Sequence, residues 1–135
     1  MPVESKFNDY HRRLLLERQF SRDCEPTCRD FVSFCKQCLD ITDKVNIQFI
    51  DNRDPDITTG SYNPIDRKIL ILSKDRALID ILRSIAHEIV HQHQHIKGEL
   101  HSTSGDTGSD HENEAHSLAG ILMRKYHKLN SDTIY

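Results

Sequence analysis

From Ala77 onward the apolar residues Leu78, Ile81, Leu82, Ile85 and Ala86 recur at helical intervals, and Ile89 and Val90 carry the run on. Such a stretch must fold as a helix with most of its surface buried. Embedded in it is His87-Glu88-Ile89-Val90-His91. Four positions make slightly more than one helical turn, so the two imidazoles project from one face with Cβ atoms about 5–6 Å apart, near enough to hold a single ion. Glu88 then sits beside the ion rather than on it, where it can take a proton from water. The spacing is that of the H-E-x-x-H zinc signature. In a chain with nine histidines, chance alone produces such a match about once in thirty sequences. The buried setting adds weight, because two histidines and a glutamate inside a core are costly without a partner and a metal supplies one.

A zinc ion that activates water takes three protein ligands and keeps one position open, so a second element must return to this helix. Candidates lie in Asp110-His111-Glu112-Asn113-Glu114-Ala115-His116, with Glu112, Glu114 and His111 all possible third ligands. The segment opens a last helix from about residue 111 to 128, capped by Asp110, whose stripe is Ala115, Leu118, Ala119, Leu122 and Tyr126. The motif helix itself is expected from about residue 75 to 97, capped by Ser73 or Asp75 and stopped by Gly98.

Ahead of it, Val45 to Ile50 alternates as a half-buried strand, Ile57 to Tyr62 reads as a weak strand broken by Gly60, and Arg67 to Leu72 as a strong one. Asn63-Pro64 suggests a hairpin between the last two, and Asp51 to Asp56 a turn. Lys6 to Phe20 has partly helical apolar spacing, with Arg12, Arg13, Arg18 and, beyond it, Arg22 as solvated charge. The polar stretch 99–109 reads as a loop, of which residues 101–109 could close over a cleft. The expected fold is α+β: a small antiparallel or mixed sheet of about three strands packed on the long motif helix, with further N- and C-terminal helices, in a single domain over residues 1–135.

Cys24, Cys28, Cys35 and Cys38 invite a second metal site, but Glu25-Pro26 starts a helix through about Asp40 that also carries Phe31. On it the four sulfurs share a stripe whose ends are about 21 Å apart, too far for one ion. Buried reduced thiols are the expectation, with a site using one cysteine pair, or disulfides, as alternatives. His93, His95 and His101 are expected in solvent.

No apolar stretch approaches the roughly 20 residues that span a bilayer, and Met-Pro-Val-Glu-Ser-Lys lacks the apolar core of a secretory signal, so a cytoplasmic location is expected. The net charge of −3 argues against broad capture of nucleic acid.

Taken together, the motif and Glu112-Asn113-Glu114-Ala115-His116 resemble the gluzincin metallopeptidases, whose third ligand is a glutamate in a Glu-x-x-Ala pattern on a second helix. The resemblance implies Glu112 as ligand and Ala115 as the small residue that lets the helices approach. His116 stands where many relatives have Asp or Asn. The Asn-Glu-Ala pattern of the thermolysin-like branch would instead point to Glu114. With His93-Gln94 to Gly98-Glu99-Leu100 included, the chain is similar to the small zinc peptidases often carried by tailed phages, over about residues 57 to 126. The implied activity is zinc-dependent peptide hydrolysis, with His87, His91 and Glu112 holding the ion and Glu88 as general base. Its partner is a polypeptide held by strand addition near residues 59–62. Tyr62, His101 and Tyr126 are candidates for a donor to the developing oxyanion. Two alternatives stand beside it: a zinc-binding module that cuts nothing, and a SprT-like protease acting on DNA-associated proteins.

Overall fold

The computed structural model describes residues 18–51, 59–98 and 109–130. Within them the chain is α+β, with three α-helices and a three-stranded mixed sheet. Helix α1 is Glu25–Leu39, strands β1, β2 and β3 are Asn46–Ile50, Gly60–Asn63 and Lys68–Leu72, and helices α2 and α3 are Leu78–Ile96 and Asp110–Leu129. No helix among the described residues is long and apolar enough to cross a membrane.

The strand order is β1-β3-β2, with β1 parallel and β2 antiparallel to the central β3. The hairpin is fixed by its turn chemistry. Asn63 Oδ1 accepts from the backbone N–H of Ile65, Asp66 Oδ1 from that of Lys68, and Arg67 takes a left-handed φ of 55°. Register then aligns Phe49, Ile71 and Gly60 in one row across the sheet, and Ile47, Ile69 and Tyr62 in the next. Partners in a row point to the same face, and the fully buried Ile69 and Ile71 show that this is the face turned to the core.

Helix α2 lies against that face and buries Leu78, Ile81, Leu82, Ile85, Ala86, Ile89 and Val90. Burying each large aliphatic side chain there contributes about 1.5–3 kcal/mol. Its start is later than the expected residue 75, and neither expected cap is used. Ser73 Oγ hydrogen-bonds with Ile50 O, and Asp75 sits in a left-handed turn at φ 57°. Ala77 precedes the first turn without a side-chain cap; instead Leu78 N–H donates to Arg18 O at 2.7 Å, beside a bridge between Gln19 and Ala77. Arg18 to Phe20 are therefore extended rather than the end of a helix; the rest of that expected helix, with Arg12 and Arg13, lies outside the described residues. So do the expected turn at 52–56, residues 57 and 58 of the weak strand, and nearly all of the 99–109 loop.

Helix α3 crosses α2 and buries Ala115, Ala119, Leu122, Met123 and Tyr126. Its cap is Ser109, whose hydroxyl accepts from Glu112 N–H at 3.1 Å, rather than Asp110. Tyr126 packs edge-on against Phe31 of α1 and donates its hydroxyl proton to Asp30 at 2.6 Å. Helix α1 begins at Glu25 and ends at a left-handed Asp40. It buries Cys28, Phe31 and Cys35, and Cys24 is buried just before it. Cys38 departs from the expected buried stripe and is exposed, and all four thiols are free.

Candidate metal centre

Helical geometry carries His87 and His91 to the same side of α2, their ring centroids 4.9 Å apart. The close approach allowed by Ala115 and Ala119 brings the first turn of α3 over them. Glu112 enters between the rings. His87 Nε2 lies 2.8 Å from Glu112 Oε1, and His91 Nε2 lies 3.1 Å from Glu112 Oε2. The donor atoms of these three residues all fall within 4.8 Å of one another, and the group can hold a metal ion.

The donor set suits zinc, which accepts imidazole nitrogen and carboxylate oxygen. At the usual 2.0–2.1 Å ligand distance, tetrahedral donors sit roughly 3.3 Å from one another. The separations between Glu112 and the two imidazoles are already close to that figure. Of the alternatives for the third position, Glu114 and His111 are outside the converging group. Glu114 Oε1 accepts from Gln94 Nε2, and His111 presents its carbonyl to the same amide.

Glu88 is 6% exposed and lies on the side of α2 that faces the sheet. Burial, with the Glu112 carboxylate adding repulsion, pushes its carboxyl up to about 8 in the metal-free protein. His87 is shifted the other way, its imidazole held below the usual range by burial against the opposing pull of Glu112. A bound cation would favour the ionised form of Glu88.

His116 stands at the rim, its side chain largely exposed, with Nε2 3.4 Å from Glu112 Oε1 and its ring 4.7 Å from that of His87. The expected solvent-facing His95 is instead half-buried, with Nδ1 2.7 Å from the Tyr62 hydroxyl. Burial raises the Tyr62 pKa. His93 is likewise half-buried rather than open to solvent. Of the candidate oxyanion donors, Tyr126 is committed to Asp30, Tyr62 is engaged by His95, and His101 lies outside the described residues.

Sequence reasoning missed Gln94. It is fully buried, its Oε1 is 2.8 Å from His91 Nδ1, and its Nε2 is 2.9 Å from both His111 O and Glu114 Oε1. Its position three residues after His91 was a signal that it shares that ligand's side of the helix. In comparisons with known proteins the chain matches no family model, no curated protein and no solved structure.

Proposed function

We propose that this chain is a zinc-dependent metallopeptidase of the gluzincin kind, built on a minimal zincin-like domain. The observation that carries the reading is the convergence of His87, His91 and Glu112 on one spot, with the buried Glu88 next to His87 on the same helix. Zinc bound there would supply Lewis acidity, making hydroxide available near neutral pH and polarising a carbonyl oxygen.

The chain's own residues do the rest. His87 and His91 present nitrogen from α2, and Glu112 presents oxygen from α3. Glu88, its ionised form favoured by a bound cation, takes the proton from the attacking water and later gives it to the departing amine. Among the described residues strand β2 pairs with β3 on one side only, which leaves its other edge to align an extended peptide alongside the metal helix. Backbone pairing of this kind selects for extended polypeptide rather than for particular side chains, which favours an endopeptidase.

A second reading is favoured by His116: swung inward, it would supply a fourth protein donor and close the coordination shell, as in zinc modules that cut nothing. Replacing Glu88 by Gln separates the two. As a peptidase, the parent hydrolyses an unstructured protein in the presence of zinc, and the variant loses at least about 10²-fold in rate while still binding the metal. Stoichiometric zinc in the parent without hydrolysis of any unfolded substrate would favour the module.

A further inference from the structure

Gln94 has an amide whose two ends are not interchangeable. Its nitrogen lies 2.9 Å from the His111 carbonyl oxygen and 2.9 Å from Glu114 Oε1. A carbonyl and a carboxylate only accept, so the NH2 group must point at them. The oxygen is thereby aimed at His91 Nδ1, 2.8 Å away, where it can only accept. A neutral imidazole carries one proton, and this contact keeps it on Nδ1. His91 Nε2 is then a bare lone pair, and it faces Glu112 Oε2 at 3.1 Å. Two acceptors that close repel unless a cation lies between them.

We infer that Gln94 is a positioning residue: it locks His91 in the Nδ1–H form, so that Nε2 is offered to an ion, and it ties the first turn of α3, which carries Glu112, to α2. The inference rests on the metal-centre reading above. One buried side chain therefore sets both the electronic state of one ligand and the placement of the helix that brings another. Without it, the His91 proton is free to move to Nε2 and hydrogen-bond directly to Glu112, and metal binding must first undo that bond. Glu114, for its part, orients Gln94 instead of the ion.

Two readouts test this. Long-range ¹H–¹⁵N correlation spectra of the metal-free protein at pH 8 report which His91 nitrogen is protonated. Zinc affinity, measured by competition with a chromophoric chelator, reports the consequence. The parent is expected to show His91 as the Nδ1–H tautomer, and Gln94→Leu to show Nε2–H and to bind zinc about 10–100-fold more weakly. Gln94→Glu combined with Glu114→Gln exchanges donor and acceptor between the two side chains, returns an acceptor to His91 while leaving the His111 carbonyl without its donor, and is expected to recover part of the affinity and the Nδ1–H tautomer. An Nε2–H tautomer in the parent, or a Gln94→Leu protein with undiminished zinc affinity, overturns the inference. If Gln94→Leu does not fold, the parent's tautomer and the swapped double variant still decide. A parent that binds zinc tightly and cuts nothing would remove the peptidase proposal and leave the role of Gln94 standing.

Discussion

Gly60 lies directly against Glu88: a Cβ built on Gly60 would come 3.4 Å from Glu88 Cγ, and 3.1 Å from both Leu70 O and Ile71 Cδ1. The edge strand thus passes over the proposed general base, and a side chain at this position would touch Glu88 and crowd β3. Gly60→Ala is expected to crowd Leu70 O and Ile71 Cδ1 of β3, shifting β2 by a few tenths of an ångström, and to cost about 1–3 kcal/mol of stability through overpacking. Because the displaced edge is also the proposed substrate rail, peptide hydrolysis should fall further than the loss of folded protein explains. Denaturant unfolding alongside the hydrolysis rate checks both; an alanine variant with parental stability and rate would show that the approach is looser than this.

The proton affinity of Glu88 makes metal-free stability depend on pH. Its carboxyl titrates near 8 in the folded chain against an ordinary value of 4.5, so between those limits the folded state binds the proton more tightly than the unfolded one. Its contribution is fully present below pH 4.5, shrinks as pH rises and is gone above 8. His87 acts in the opposite direction, since an imidazole kept neutral by burial loses stability as pH falls below 6.5. In Glu88→Gln the decline from pH 5 to pH 8 should flatten, leaving the His87 slope exposed at the acid end. Urea unfolding of both proteins in chelator at the two pH values measures this, and an unchanged slope would mean that Glu88 is not the group responsible.

The helix carrying His87 and His91 could be read from periodicity alone, since spacing decides which face a residue joins. So could the three strands, and the hairpin from Asn63-Pro64. The ends of the helices were less legible because distant backbone satisfies them: the first N–H of α2 is taken by Arg18 O, far away in sequence, while Ser73 is drawn to Ile50 O. Glu112 could be singled out only through a pattern borrowed from a family. The spacing of Gln94 from His91 showed only which side of the helix it shares; its partners on α3, like the Tyr62–His95 contact, were not legible, because each joins an element to another whose approach no local pattern encodes. Cys38 fell outside the buried stripe because α1 ends one residue after it, where nothing among the described residues covers that side.

Thiol chemistry offers an independent check on how α1 is seated. Cys24, Cys28 and Cys35 are at most 3% exposed, whereas Cys38 is open to solvent. Burial also pushes the Cys28 thiol up to about 12 and that of Cys35 higher still, and a thiol without thiolate does not react. A disulfide dye at pH 8 is expected to label one cysteine rapidly in the native protein and all four after denaturation. Rapid labelling of three or four in the native state would mean that α1 is not packed as described.

Metal content bears on the centre most directly. The purified parent, dialysed against zinc and then against metal-free buffer, is expected to retain one zinc per chain by elemental analysis. His91→Ala and Glu112→Ala, each still folded by circular dichroism, are expected to retain essentially none. A parent without bound metal, or a Glu112→Ala protein that holds zinc as the parent does, would contradict the assignment of His87, His91 and Glu112 as the metal-holding group.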